Sequence, residues 1–369
     1  MRVLVATDSF GGTLSAVEAA DAVAAGWRET APRDRVDVVP LSDGGPGFVE
    51  VLAASGGTTR ALTVAGPLGT PVAATWLLRD GTAYVESAQA CGLHLVPPAA
   101  RDPRRTTTLG VGELVVAAAA AGSGEVVVGL GGSATNDGGA GLWAALGARP
   151  CDELAAGGGG LAGLAGVQPP AEAPGRLVAA TDVDTVLLGP NGASAVFGPQ
   201  KGADRAAVLD LDDALRRWAD LVEPATGRPG LRDAPGAGAA GGLGFGLFAL
   251  GARRAAGFGL VAEAVGLAGR LAEVDLVVTG EGAFDATSLH GKVVAGVAGL
   301  AQEAGVPCLV LAGRVEVGRR DAAAAGVDAA YAVADLLGSP AEALAAGAEG
   351  VTRLAARTAR EWSHGGSAP

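Results

Sequence analysis

Lysine is nearly missing from this chain of 369 residues: of 27 basic side chains only Lys201 and Lys292 are lysines, and the other 25 are arginines. Methionine occurs once, and histidine and cysteine three times each. The cysteines, Cys91, Cys151 and Cys308, are odd in number and far apart, which excludes a disulfide framework and fits no zinc-ligand spacing. A reducing cytoplasm is therefore the expected compartment. No run of about 18 uninterrupted apolar residues suggests a membrane span, and the strand-like RVLVA at the start leaves no room for a leader peptide. The formal charge is −12 and no basic stripe offsets it, so nucleic acid is not an expected partner. A small anionic substrate would need local positive charge. Coding bias accounts for arginine in place of lysine, but not for where the two lysines sit, each in a glycine-flanked turn.

What is abundant is glycine, 61 residues without a three-residue period, which excludes collagen, and a hydrophobic content of 49%, which excludes general disorder. The length exceeds what one ordinary core uses, so two α/β domains are expected. Short apolar runs bounded by glycine alternate with alanine-rich helical stretches, the pattern of a mainly parallel sheet covered by helices. Strands are expected at 3–6, 36–39, 83–86, 125–128, 177–180, 275–278, 308–311 and 330–333, and the alanine tract at 117–121 reads as a helix end. Clean strand–helix–strand steps occupy both ends of the chain, whereas glycine and proline interrupt 157–175 and 224–244. This predicts a discontinuous doubly wound domain, 1–62 plus 274–369, holding an inserted domain, 63–273. His364 falls in a tail expected to fray, and His94 reads as a buried structural histidine.

Several strands run directly into polar, glycine-rich turns, and in open α/β sheets such carboxyl-edge turns are where ligands bind. After the first strand come Asp8, Ser9, Gly11 and Gly12, whose uncovered amides at a helix start would form an anion site. Two further turns share Asp-Gly-Gly-x-Gly, at 43–47 and 137–141. They bring Asp43, Gly44 and Gly45, and Gly131, Gly132, Ser133, Asn136 and Asp137. Gly129–Ala134 also fits the G-x-G-x-x-A form of a dinucleotide fingerprint, so a nicotinamide-dependent dehydrogenase is the alternative, although no strand ending in an acid follows at the required distance. No Walker loop surrounds Lys292. In "TGEGAFDATSLHGKV", Glu281, Asp285, Ser288, His290 and Lys292 gather acids, a hydroxyl and an ammonium at one strand end. Phosphoryl transfer needs such a set: donors for phosphate oxygens, carboxylates for magnesium and an acceptor for the hydroxyl proton. Asp182 and Asp184 follow another strand and could share a metal or cap a turn; Lys201 lies in "FGPQKGA".

Taken in order, "DSFGGTLSA", "PLSDGGPGF", "GLGGSATNDGGAG", "TDVD", "FGPQKGA", "AAGGLGFGL" and "TGEGAFDATSLHGKVVAGVA" resemble the bacterial type I glycerate kinases over about residues 2 to 360. The resemblance implies ATP-dependent, magnesium-requiring phosphorylation of D-glycerate, in most relatives at the 2-hydroxyl. It further implies a flavodoxin-like domain joined to a restriction-enzyme-like α/β domain, with the active site in the cleft between them. On this reading the amides of Gly11, Gly12 and Gly131–Ser133, with Lys292, hold phosphates, and Asp8, Ser9, Gly44, Gly45, Asn136, Lys201 and His290 complete the substrate and phosphate contacts. Asp182, Asp184 or Glu281 hold magnesium, and Asp43, Asp137 or Asp285 meet the glycerate hydroxyl. The pattern departs at Gly11, where relatives usually have lysine or arginine, at Pro46, usually glutamate, and at Ala283, usually arginine. Arg253 or Arg314 are candidates to compensate, and a catalytically degenerate binding protein is the third reading. A homodimer stays open.

Overall fold

The computed structural model describes residues 1–289 and 291–363; His290 and His364 lie outside them. Its strands are β1 (Arg2–Val5), β2 (Arg35–Val38), β3 (Thr58–Ala65), β4 (Pro71–Arg79), β5 (Thr82–Glu86), β6 (Glu125–Gly129), β7 (Arg176–Ala180), β8 (Arg253–Ala255), β9 (Leu276–Phe284), β10 (Cys308–Val315) and β11 (Ala329–Ala332). The helices used below are α1 (Ala16–Thr30), α2 (Leu109–Ala120), α3 (Arg205–Thr226), α4 (Val293–Ala304) and α5 (Pro340–Trp362). Two compact units result, one from residues 1–43, 50–55 and Phe258 onward, the other from Gly44–Val49 and Gly56–Gly257. The expected boundaries at 62 and 273 therefore fall beside, not on, these divisions: all of β3 pairs with the second sheet, and the first unit resumes at Phe258.

The first unit has an all-parallel sheet in the order β11-β10-β9-β1-β2. With strands renumbered along the unit this is 2-1-3-4-5, the flavodoxin-like order, whose reversal point lies between β1 and β9. Helix α1 starts on a capping box: Ser15 Oγ accepts from the Glu18 amide at 3.3 Å and the Glu18 carboxylate accepts from the Ser15 amide at 2.8 Å. Its apolar face buries Val23 and Trp27 against the sheet, and the Trp27 indole donates to Asp34 at 3.0 Å. Gly26 lets α5 approach, since a Cβ there would stand 2.0 Å from the Thr352 carbonyl oxygen.

The second unit has a six-stranded sheet, β3-β4-β5-β6-β7-β8, antiparallel from β3 to β5 and parallel from β5 to β8. Its core centres on Trp143 and Trp218, packed edge to face with ring centroids 5.3 Å apart. Both indoles find a carbonyl, Gly246 at 2.9 Å and Gly138 at 3.0 Å, as buried tryptophans must. The stretch 224–244, expected as an interruption, contains the end of α3 and the start of a glycine-rich helix, Ala239–Ala249, which it breaks: Ala240, Gly241 and Gly242 all have left-handed backbone angles. Glycine there serves close packing: a Cβ on Gly241 would meet the Thr135 carbonyl oxygen at 1.9 Å. His94, expected to be buried, is exposed; its short 3-10 turn, Leu93–Leu95, partly buries the flanking leucines and turns the imidazole to solvent.

Candidate functional site

The first unit places its polar turns at the switch point. Asp8 and Ser9 follow β1, and Glu281 lies near the end of β9, which continues beside β10 as far as Phe284 opposite Val315. The loop after β1 is tied to β9 by the Asp8 amide, which donates to the Gly280 carbonyl at 2.9 Å. Glycine is required where these turns touch: a Cβ at Gly280 would lie 2.1 Å from the Leu311 oxygen and one at Gly282 would press on the Phe10–Gly11 backbone. Gly12 has φ +81°, a left-handed position, whereas Gly11 is exposed with open space around it.

Four acids named in the sequence meet electrostatically here. Burial, then the charge of Asp43, and then that of Glu281 push Asp8 up to about 8, against the pull of the Ser9 amide. Burial likewise raises Glu281 to about 7, with Asp285 and Asp43 adding to the rise and Ser288 and Lys292 opposing it. Glu281 Oε1 is buried without a hydrogen-bond partner. Asp285 moves the other way: the Thr287 hydroxyl and amide, at 2.7 and 2.8 Å, hold it below the usual carboxylate range, with Lys292 and Arg314 helping.

A cavity of about 490 Å³ opens beside these groups, lined by Ser9, Gly11, Glu281, Asp285, Lys292 and Arg314 among others. Lys292 occupies the position before the first residue of α4, is partly buried, and its ammonium donates to Thr287 Oγ1 at 2.8 Å. It thus lines the cavity instead of extending into solvent. Arg314 pairs with Glu316 at 3.2 Å and shares the cavity with Gly11 and Ala283, the two positions where the sequence lacks an expected cation. Arg253, the other candidate to compensate, sits on β8 of the second unit and reaches Glu125 at 3.5 Å.

The second unit holds the remaining turns. Asp137, expected among the acids facing a substrate hydroxyl, is fully buried, with its carboxylate committed to the Thr108 amide and hydroxyl, both at 2.8 Å, and to the Gly139 and Gly141 amides, both at 3.2 Å. Burial raises its pKa against those four donors. It is a structural anchor with no surface for a ligand. Lys201, expected to touch phosphate, is only 2% exposed; its ammonium donates to Ser133 Oγ at 2.9 Å and the Thr135 carbonyl at 2.7 Å and lies 5.9 Å from the Phe197 ring centroid. It braces the 133–135 turn from within, and burial lowers its pKa to about 8. Asn136 is buried as well, donating to Ser194 at 2.9 Å. Gly131 and Gly132 face the Gly45–Pro46 turn: a Cβ at Gly131 would stand 2.6 Å from Gly45 Cα. Gly44 is buried with φ +94°, and a Cβ there would meet the Ala180 carbonyl at 3.1 Å. Close turn-to-turn packing thus explains these glycines.

Asp184 is exposed and paired with Arg254 at 2.6 Å, and Asp182 is partly buried on the same loop after β7. Both belong to the second unit, Glu281 to the first. The dinucleotide fingerprint fails on geometry: after β6 no helix begins until Ala140, so the Gly129–Ala134 run has no helix start to present to a pyrophosphate.

The model of the glycerate kinase family matches residues 3–363. Glycerate 2-kinase of Escherichia coli K12 is 42% identical over 366 residues, 96% of each chain. Glycerate kinase of Bacillus subtilis 168 is 43% identical over 349 residues, 90% of each. The chain belongs to the glycerate kinase family. A crystal structure of a candidate glycerate kinase 2 from Salmonella typhimurium LT2 shares its fold, with a TM-score of 0.78, 39% identity and 99% of both chains covered.

Members of a kinase family need a phosphate donor, ATP, and the acids at the switch point can be tested for magnesium. Among the described residues no three His, Cys, Asp or Glu side chains gather closely enough to hold a metal by themselves. Magnesium does not require that: one or two carboxylates, with waters and substrate phosphates, complete its octahedron. The crowded Asp8 and Glu281, the latter with an orphaned buried oxygen, fit such a partial ligand set. Sequence reading had missed the wall of the cavity supplied by Val333, Leu344 and Val351. Isolated apolar residues in alanine-rich helices carry no signal that separates a pocket wall from core.

Proposed function

We propose that this protein is an ATP-dependent kinase that phosphorylates D-glycerate at its 2-hydroxyl, with the switch-point turns of the first unit as the phosphate and magnesium site. The observation that supports this reading is the convergence, around one cavity, of a partly buried lysine, an arginine and the carboxylates of Glu281 and Asp285, with the buried Asp8 electrostatically coupled to Glu281, at the carboxyl edge of a flavodoxin-like sheet. Lys292 and Arg314 supply the cations that an anionic donor needs in a chain of formal charge −12. Asp8 and Glu281 would hold magnesium, which when bound neutralises phosphate oxygens. Lys292 orients the phosphate chain as a point charge at the start of α4, where the helix amides favour anions.

Asp43 is the acid assigned to accept the glycerate hydroxyl proton. Asp137 is spent on four donors, Asp285 is held ionised and weakly basic by Thr287, and Asp8 and Glu281 form the metal pair. Asp43 is electrostatically coupled to both of that pair and stands at the last position of the first unit before the chain crosses to Gly44. Asp43→Asn is expected to lower kcat about a hundredfold or more, the usual share of a positioned base, with KM for glycerate little changed.

The test is to incubate the purified protein with magnesium-ATP and D-glycerate, follow ADP release, and read the product by phosphorus NMR. A single 2-phosphoglycerate resonance appearing with ADP supports the reading; no glycerate-dependent ADP would contradict it.

A further inference from the structure

The cavity at the switch point is larger than a three-carbon acid needs, and its lining is of two kinds. Ligand cavities of about 300–1,000 Å³ typically combine an apolar wall with a few polar groups that fix orientation, and this one measures about 490 Å³. The polar lining comes from the strand ends, through Ser9, Glu281, Asp285, Lys292 and Arg314. The apolar lining comes from Leu14, Val333 and the first turns of α5, through Ala343 and Leu344, with Val351 one helical stretch further on.

Leu344 is 65% exposed although it lines this cavity. It sits on a piece of α5 set apart from the rest. Gly347 has φ 50° and ψ −128°, a conformation open in practice to glycine, and it breaks the helix there. Beyond the break α5 is fixed to α1, where Thr352 Oγ1 donates to the Ala22 carbonyl at 3.1 Å and its own carbonyl fills the space left by Gly26. Before the break, Pro340–Ala346 is largely exposed and its start is set by Ser339, which accepts from the Glu342 amide at 3.2 Å. The segment can therefore hold Leu344 at the cavity without disturbing the α1–α5 packing.

We infer that this apolar wall seats the base of the nucleotide donor, with Leu344 covering one face of the purine while Lys292 and Arg314 meet the phosphates. The inference rests on the ATP-dependent reading above and adds where the base lies and what selects it. An aromatic ring buries its faces against aliphatic side chains, as Leu14, Val333, Leu344 and Val351 offer.

The test is calorimetric titration of the full-length protein with magnesium-ATP and, separately, with magnesium tripolyphosphate, which carries the phosphates without the base. Leu344→Ser is expected to weaken ATP binding about tenfold, the scale of losing one side chain's apolar cover, and to leave tripolyphosphate binding unchanged. Leu344→Met should restore ATP binding, and the exposure of the site leaves the melting temperature of both variants at the wild-type value. Equal ATP affinity in Leu344→Ser and wild type, an equal loss for both ligands, or no ATP binding by the wild type would overturn the assignment. Glycerate-dependent turnover with an unchanged KM for ATP in Leu344→Ser would sink the base pocket and leave the kinase reading standing. Base-dependent binding without any glycerate turnover would do the reverse.

Discussion

Asp8 is a carboxyl held near neutrality by its surroundings, and the consequence for stability has a definite sign. Below about pH 4 it is protonated in both the folded and the unfolded chain and contributes nothing. Between about 4 and 8 the folded chain keeps a proton that the unfolded chain has released, so stability falls as pH rises through that window. Asp8→Asn removes this penalty. The variant should melt at least about 2 °C above wild type at pH 7.5, the shift that ~1 kcal/mol gives a protein of this size, and show no gain at pH 4. The same substitution should lower kinase turnover, because the buried carboxyl that costs stability is also one of the two assigned to the metal. Scanning calorimetry at the two pH values checks the first statement and a steady-state assay the second. Lys201 makes the opposite case: its ammonium is internal bracing, and Lys201→Ala should cost about 2–4 kcal/mol in urea unfolding, since it leaves a cavity and strips Ser133 and Thr135 of their donor.

At the scale of elements, glycine in two similar-looking turns has two different causes. Gly131 lies against Gly45, and Gly131→Ala should destabilise by about 1–3 kcal/mol because a methyl group there meets backbone that cannot yield. Gly11 has open space and no left-handed φ, so Gly11→Ala should stay within about 0.5 kcal/mol of wild type. Denaturant midpoints of the two variants separate these outcomes. The same contrast shows how much was legible in the sequence. All eight expected strands correspond to strands of the structure, because buried parallel strands are continuous apolar runs closed by glycine. β3 and β4 were not legible: β3 is an edge strand with six exposed positions at its start, and its mixed polar sequence carries no burial pattern. β8 is three residues long, too short to show any period. The site turns were legible as turns, since acids and glycines after strands are local signals. Their partition was not: nothing in Asp-Gly-Gly-x-Gly says that Asp43 stays partly exposed beside other acids while Asp137 disappears under four donors.

For the whole molecule, the formal charge of −12 opposes the approach of an anionic acid and an anionic nucleotide. Salt screens that long-range repulsion more than the short contacts at Lys292 and Arg314, so kcat/KM for glycerate should rise between about 10 and 150 mM ionic strength, over which the Debye length shrinks from about 30 to 8 Å. A fall over that range would mean that local cations steer the substrate from a distance. The family match over residues 3–363 and the flavodoxin-like strand order together direct attention to the β1/β9 switch point. There the account depends on a single ammonium. Lys292→Ala, assayed with saturating D-glycerate and varied magnesium-ATP, is predicted to lose at least about tenfold in kcat/KM, equivalent to about 1.4 kcal/mol of transition-state stabilisation, with an unchanged melting temperature. A variant that turns over ATP as fast as wild type would contradict the placement of the phosphate site.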